Sequence, residues 1–180
     1  MENSINTEYL ETPYGELIIG SYEDKLCLCD WRYRKMRASI DIRIKTGLDA
    51  DFIYQTSSVI ENTISQLTEY FRGERTEFDI PLHFVGSDFQ KQVWNALVQI
   101  PYGKTMTYME LSKQINNAKA IRAVGAANGA NAISIIIPCH RIVGSDGDLV
   151  GYAGGLKTKM KLLQLEKALI NDQISMFNFH

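Results

Sequence analysis

The sequence predicts an α+β fold, with a small sheet domain at residues 1–86 and a mainly helical domain at residues 87–180. Short apolar runs separated by turn residues open the chain, whereas apolar residues recur at helical spacing after residue 87. The charge changes sign near the same point. Residues 1–88 hold 9 Lys and Arg against 16 Asp and Glu, and residues 89–180 hold 10 against 5. We therefore place the domain boundary in the segment 72–86, whose composition predicts a turn, a short strand and a linker.

The first domain is expected to begin with a β-meander. Pro-Tyr-Gly at residues 13–15 and Asp24-Lys25 are turn sequences between short apolar runs. Ser57 or Ser58 is a suitable N-cap for the helix that follows. The apolar residues of that helix recur at helical spacing, at Ile60, Ile64, Leu67 and Phe71.

The second domain is predicted to hold three consecutive helices. Two capping boxes, Ser87–Gln90 and Thr107–Glu110, open the first two, which are expected to end at Pro101 and near Ile115. A third helix is predicted over residues 118–128. Two short helices joined by a tight turn on a basic background form a helix-turn-helix pattern, which is typical of DNA binding but also occurs in proteins that bind nothing.

The third helix has very small side chains. Its stretch "AVGAANGA" includes Ala123 and Gly125, and glycine costs about 1 kcal/mol inside a helix. Such a face permits close approach to another surface, either a neighbouring helix or a nucleic-acid backbone. In the second case Arg122 would project from the contact face, and the net charge of +5 in residues 89–180 favours an anionic partner.

The overall composition indicates a globular protein. Of the 180 residues 45% are hydrophobic and 22% charged, and no run of eighteen apolar residues exists to span a membrane. The N-terminus is acidic and polar, unlike a secretory signal. Three cysteines, Cys27, Cys29 and Cys139, cannot all pair, so we expect a reducing, cytoplasmic setting and no contact with membranes.

The stretch "IIIPCHRIVG" places a nucleophile, a base and a cation in succession at Cys139, His140 and Arg141. A thiol with an ordinary pKa near 8.5 is only a few per cent ionised at neutral pH, so its chemistry needs a base. Neighbours on a strand point to opposite faces, so either the backbone turns after Pro138 or a water bridges the two groups. Glu166, in a helix predicted over residues 158–168, is the candidate to orient the histidine.

The glycine turn "GYAGG" at residues 151–155 is expected to wall a small pocket near the thiol. Taken alone, Cys139, His140 and Glu166 each have a structural interpretation: a buried cysteine, a packed histidine and a solvated helix face. Their combination with the glycine turn favours a reactive site.

These motifs resemble the O6-alkylguanine-DNA alkyltransferases, also called methylated-DNA–protein-cysteine methyltransferases. From about Phe89 to Glu166 the chain carries "TYMELS", "AIRAVGAA", "IPCHRIVG", "GYAGG" and "LLQLE" in the family's order. The N-terminal "TPYGELIIGSYEDKLCLCDW" is similar to the family's first domain. The resemblance implies a ribonuclease-H-like sheet domain and a winged-helix-like helix-turn-helix in the second domain.

The resemblance implies a repair reaction in which Cys139 accepts an alkyl group from O6-alkylguanine in DNA and keeps it, a single-turnover methyltransferase. His140 would deprotonate the thiol through a water, and Glu166 would orient His140. Asn131 would brace the turn that presents the cysteine. The preference among alkyl groups and the activity on O4-alkylthymine stay open.

The implied partner is double-stranded DNA, bound as a monomer through the minor groove, with the damaged nucleotide flipped out of the duplex. Tyr108 would hydrogen-bond the flipped guanine, and Arg122 would fill the gap in the base stack. Ala123 and Gly125 belong to the helix that would approach the DNA. The base pocket would be lined by the backbone around Ile142 and by Tyr152 and Ala153. The reaction needs no cofactor.

Three features depart from the family. Its usual Asn-Pro is Asn131-Ala132 here, which predicts a less rigid turn. Some members hold zinc in the first domain, but Cys27, Cys29 and His83 do not match those positions, so we expect no metal. The tail at residues 171–180 has no counterpart in the family that we can assign.

Three other functions are compatible with parts of the sequence. A protein that binds alkylated DNA without repairing it commonly has tryptophan at the acceptor position, where this chain has Cys139. A cysteine hydrolase could use Cys139, His140 and Glu166 but would need an oxyanion hole. A helix-turn-helix regulator would have no use for residues 138–155.

Overall fold

Four strands form the N-terminal sheet. β1 (Ser4–Thr12), β2 (Gly15–Tyr22) and β3 (Lys25–Trp31) pair antiparallel, which confirms the predicted meander. β4 (Asp51–Tyr54) lies parallel to β1, and the strand order is β3-β2-β1-β4. The structure is a computed structural model and describes residues 3–169.

A helix on each side covers this sheet. α2 (Ser58–Phe71) begins as predicted, with the Ser57 side chain accepting a hydrogen bond from the backbone N–H of Ile60. α1 (Arg37–Leu48) was not predicted from the sequence. Its buried residues form one narrow stripe, Ile40, Ile44 and Leu48, while the apolar side chain of Ile42 is exposed. Helices with such a stripe give a weak amphipathic pattern.

The segment 72–86 contains no strand, so the predicted short strand was wrong. It makes only an isolated bridge to β3, in which the Leu26 N–H donates to Pro81 O at 2.8 Å and the His83 N–H donates to Leu26 O at 2.8 Å. Because proline has no N–H to donate, Pro81 limits the extension of this pairing.

Four helices dominate the second half: α3 (Asp88–Val98), α4 (Tyr108–Gln114), α5 (Ile121–Gly129) and α6 (Leu156–Leu165). Both predicted capping boxes are present, at the starts of α3 and α4. α5 begins later than predicted, because Ala120 offers no side-chain cap and residues 118–120 stay in the turn. α6 ends one residue before Glu166, which is its C-cap.

The hydrophobic core is continuous across the predicted domain boundary. Trp31 and Tyr70 belong to the same buried cluster as Val93, Ile137 and Leu162. Two short parallel strands, β5 (Met106–Thr107) and β6 (Ile142–Val143), connect α4 to the segment after Cys139. Among residues 3–169 no helix is long and apolar enough to cross a bilayer.

Candidate active site

The chain turns immediately after Pro138. Residues Cys139–Arg141 form a single turn of 3₁₀ helix, in which the Arg141 N–H donates to Pro138 O at 2.9 Å. The backbone therefore turns after Pro138, as one of the two expected arrangements requires, but the turn does not exclude a bridging water. Within the described chain Cys139 and His140 nevertheless share no direct hydrogen bond, and their side chains have different partners.

Cys139 is only 3% exposed, and its sulfur accepts a hydrogen bond from Asn131 Nδ2 at 3.2 Å. Burial raises the pKa of the thiol, while the Asn131 bond and the positive charge of Lys159 act in the opposite direction. The thiol therefore needs help to ionise at neutral pH.

The imidazole of His140 is fully buried, and its Nε2 lies 2.7 Å from Glu166 Oε1. A carboxylate can only accept, so Nε2 carries the proton and Nδ1 presents its lone pair. Nδ1 is buried and has no hydrogen-bond partner among the described residues. Burial lowers the pKa of His140, and Glu166 partly offsets this effect. A neutral imidazole with one free basic nitrogen is suited to accept a proton.

The Glu166 carboxylate is held by three side chains. Besides His140, it accepts from Arg141 Nε at 2.9 Å and Nη2 at 3.0 Å, and from the Tyr70 hydroxyl at 2.7 Å. Burial by itself would raise the pKa of Glu166, but His140 and Arg141 outweigh it and hold the pKa well below its usual range. Glu166 is therefore ionised and can stabilise a positive charge on His140.

Sequence reasoning missed Tyr70. It lies on α2, 96 residues before Glu166, and its ring is buried among Phe71, Phe78 and Tyr102. Its position on the apolar face of a helix suggested only packing. The one available signal was chemical, since a buried tyrosine hydroxyl usually requires a partner.

Asn131 connects the end of α5 to the cysteine turn. Its Oδ1 accepts from the Ile133 N–H at 2.9 Å, and its Nδ2 donates to Ile137 O at 2.9 Å as well as to the sulfur. The backbone beyond it pairs with β3, where the Cys29 N–H donates to Ala132 O at 2.9 Å. Asn131 thus bonds both the main chain and the thiol.

A cleft of about 730 Å³ opens above Cys139. Its walls include Tyr108, Gly125, Tyr152 and Ala153, all predicted site residues. Ile142 is fully buried in β6 and does not line this cleft, contrary to the expectation for the base pocket. Sequence reasoning missed two further parts of the cleft wall, Asn128 and the segment 33–36 of the N-terminal half. It also missed Lys159, which hydrogen-bonds the glycine turn.

The glycine turn forms one wall of the cleft. A Cβ at Gly154 would lie 2.8 Å from the Trp31 ring, so only glycine fits there. The fully buried Lys159 donates to Val150 O at 3.0 Å and Gly151 O at 3.2 Å, which fixes the start of the turn. Burial lowers the pKa of Lys159 to about 8. The Tyr108 hydroxyl donates to Val150 O at 3.4 Å from the opposite wall.

Arg122 and Ala123 lie on the exposed surface at the start of α5, outside the cleft. Gly125 is one turn further along and faces Tyr108, and a Cβ there would lie 3.8 Å from the ring. The helix α5 therefore has exposed residues at its start and lines the cleft one turn later.

Within residues 3–169 no three His, Cys, Asp or Glu side chains cluster closely enough to hold a metal ion. The tail at residues 171–180 lies outside the described residues.

Comparison with known proteins places the chain. A family model described as "6-O-methylguanine DNA methyltransferase, ribonuclease-like domain" matches residues 5–84, and a model of the DNA binding domain of the same family matches residues 88–168. A methylated-DNA–protein-cysteine methyltransferase of Mycobacterium leprae is 39% identical over 177 residues, which cover 97% of this chain and 99% of that protein. The chain belongs to this family.

Other members agree with this assignment. A relative of the same name from Methanosarcina barkeri is 43% identical over 160 residues, which cover 89% of this chain and 96% of that protein. The crystal structure of the Mycobacterium tuberculosis O6-methylguanine methyltransferase superposes with a TM-score of 0.77 at 37% identity, covering 97% of this chain and 99% of that one. A structure of the M. tuberculosis protein in complex with DNA gives a TM-score of 0.77 at 36% identity over the same shares. The predicted α+β class, with a sheet domain followed by a helical domain, is confirmed as the architecture of the family.

Proposed function

We propose that this chain repairs DNA by direct reversal, moving a methyl or larger alkyl group from O6 of guanine to its own Cys139. The observation that carries the proposal is the Cys139 thiol below an open cleft, next in sequence to a buried His140–Glu166 pair whose free nitrogen can serve as a base. Membership of the methyltransferase family supports the same reaction.

The chemistry follows from the charges of the site. His140 Nδ1 takes the thiol proton through a water, and the ionised Glu166 stabilises the imidazolium. The thiolate attacks the alkyl carbon, so a sulfur–carbon bond forms as the bond from that carbon to guanine O6 breaks. Tyr108 donates a hydrogen bond to the departing purine. The thiol proton ends on guanine, and the products are a thioether and an unmodified base.

The thioether makes the reaction a single turnover. It has no good leaving group, and water has no means of removing the alkyl group from sulfur. Each protein molecule is therefore a stoichiometric reagent that acts once.

Access to the alkyl group requires that the nucleotide leave the duplex, at a cost of a few kcal/mol that a weakened base pair reduces. We infer that α5 lies in the minor groove of double-stranded DNA, where Ala123 and Gly125 permit close approach. Arg122, exposed on the same helix, would fill the gap in the base stack. The protein is expected to do this as a monomer.

The test is a stoichiometry measurement. The protein is incubated with an excess of a duplex that contains O6-methylguanine, and the intact mass is followed with time. We expect a gain of one methyl group per molecule, after which repair stops. Continued turnover would contradict the proposal, and so would binding of the duplex without transfer.

The role of Arg122 can be tested separately. Arg122→Ala should slow transfer from duplex DNA strongly while transfer from free O6-benzylguanine, which needs no base flipping, is retained. Arg72→Ala is the matched control, because it removes an exposed arginine outside the helix-turn-helix. Equal losses on both substrates would argue against the role of Arg122 in the base stack.

A further inference from the structure

Arginines of the N-terminal half cap the C-terminal end of α5. Arg34 donates to the carbonyls of Gly129 and Asn131, and Arg43 donates to the carbonyl of Ala130 at 2.8 Å. The last carbonyls of a helix have no partner within it and carry partial negative charge. The three carbonyls at the end of α5 are thus held by cations from outside the helical half of the chain.

A buried carboxylate holds Arg34 in place. Asp30 on β3 is 0% exposed, and its oxygens accept from Arg34 Nη1 at 3.0 and 3.2 Å and from Arg37 Nη1 at 2.8 Å. The Ser134 hydroxyl donates to the same carboxylate at 3.1 Å. Because arginine has a rigid fork of donors, one guanidinium can bridge Asp30 and two carbonyls at once.

These contacts hold both ends of one short segment. At its start, the Asn131 carbonyl accepts from Arg34 at 3.0 Å, and at its end Ser134 bonds Asp30. The segment also pairs with β3, since Ala132 O accepts from the Cys29 N–H at 2.9 Å and the Ser134 N–H donates to Cys29 O at 2.6 Å. The Asn131 side chain in turn donates to the Cys139 sulfur. One residue therefore separates the ion pair from the reactive thiol.

We propose that the Asp30–Arg34 ion pair is a positioning element for alkyl transfer. It fixes the Asn131–Ser134 segment, so that the Asn131 amide holds the Cys139 sulfur towards the cleft and favours the thiolate. The proposal rests on the alkyl-transfer function of Cys139. Alanine at residue 132 does not fix its own φ as a proline ring would, so the conformation of the segment depends on its contacts, of which the ion pair is one.

A purely structural ion pair would have different consequences. Removing one partner of a buried pair destabilises a fold whatever its role, so stability alone does not distinguish the two cases. A positioning role also changes the chemistry of the thiol. Asn131, Lys159 and Arg34 lower the pKa of Cys139, and Asp30 raises it. The other titratable groups beside it are the neighbouring His140 and the cleft residues Tyr108 and Tyr152.

The experiment compares Arg34→Lys with Arg43→Lys. Both variants keep the charge, and both disturb a contact to the end of α5, but only Arg34 contacts Asp30 and Asn131. Two rates are measured where circular dichroism shows the variants folded: benzyl transfer from free O6-benzylguanine, and iodoacetamide alkylation of Cys139 as a function of pH, resolved by peptide mapping.

For Arg34→Lys we expect about a tenfold slower benzyl transfer, by analogy with the loss of about tenfold or more when a residue that orients a metal ligand is replaced. The pH dependence of iodoacetamide alkylation should move to higher pH, because a misplaced Asn131 stabilises the thiolate less. Arg43→Lys should leave both measurements unchanged. Unaltered behaviour of Arg34→Lys, or an equal change in both variants, would overturn the proposal.

A misfolded variant and a failure of the proposed function can both be distinguished from a failure of the positioning role. If Arg34→Lys does not fold, Asp30→Asn serves in its place, since it keeps the shape and the contact to Ser134 but removes the charge that holds Arg34. Slower benzyl transfer is expected for this variant and decides the outcome alone, because loss of the Asp30 charge by itself lowers the pKa of Cys139. If the unmodified protein takes no methyl group from a duplex that contains O6-methylguanine, the proposed function fails, whereas the iodoacetamide profile still decides whether the ion pair positions the thiol.

Discussion

The chain buries three cysteines, and among the described residues Cys139 is the one that lines the large cleft. Cys27 and Cys29 are on β3 and are 2% and 0% exposed, and Cys139 on the turn after Pro138 is 3% exposed. Burial raises the pKa of all three thiols, that of Cys27 to about 12. Exposure and desolvation therefore do not distinguish the reactive thiol from the structural ones.

The difference lies in what surrounds each sulfur. Cys27 donates to Gly20 O at 3.5 Å, and Cys29 lies in the apolar core beside the charge of Asp30, which raises its pKa further. Cys139 instead accepts a hydrogen bond from Asn131 and lies near the cation of Lys159. A buried thiol becomes a nucleophile when donors stabilise its anion and a base can take its proton.

Replacing the base should reduce the rate of methyl transfer to Cys139 more than any other change considered. His140→Gln keeps a side chain that can bond Glu166 but has no basic nitrogen, so we expect methyl transfer to slow by about 100-fold or more. Raising the pH should restore part of the rate, because more of the thiol ionises without a base. His83→Gln is the control, since His83 packs on Tyr22 and not on the site. A rate for His140→Gln equal to that of the control would exclude His140 as the base.

A smaller effect is expected from the tyrosine that holds Glu166. Tyr70→Phe keeps the packing against Phe78 and Tyr102 but removes the hydroxyl, and a hydrogen bond to a charged group contributes about 1.5–3 kcal/mol. We expect lower stability in denaturant unfolding and a loss of rate smaller than that of the histidine variant. Tyr14→Phe removes a hydroxyl that does not contact Glu166, and an equal change in that variant would refute the assignment.

The smallest effect should come from the structural thiol. Cys27→Ala removes a buried sulfur from β3 and should lower the free energy of unfolding by about 1 kcal/mol. The rate of methyl transfer should stay the same, because among the described residues Cys27 neither lines the cleft nor hydrogen-bonds a residue of the site. A markedly slower methyl transfer in a folded Cys27→Ala variant would show that Cys27 is not purely structural and would contradict its contrast with Cys139.

Much of the second half could be predicted because its signals are local. The capping boxes at Ser87 and Thr107 each consist of residues three positions apart, and both formed as expected. The sequence around Cys139 also placed the nucleophile and the base side by side. The helix α1 was not predicted because its buried stripe is narrow. The strand predicted in segment 72–86 is replaced by an isolated bridge to β3, whose extension Pro81 limits.

The rest of the site depends on contacts that no short pattern encodes. Tyr70 meets Glu166 across 96 residues, and Arg34 meets the Asn131 carbonyl across 97. Both residues have ordinary neighbours in the sequence, an apolar helix face and a charged loop. Which side chain reaches the site is decided when the sheet packs on the helices, so only the folded chain shows it.

The contrast among the three cysteines can be tested by finding where the transferred methyl group goes. A duplex with isotope-labelled O6-methylguanine is reacted to completion, and the protein is digested and its peptides mapped. We predict one label per molecule, all of it on the peptide that contains Cys139, and none on a Cys139→Ser variant that still binds the duplex. Label on Cys27 or Cys29, or label retained by the Cys139→Ser variant, would contradict the assignment of Cys139 as the acceptor.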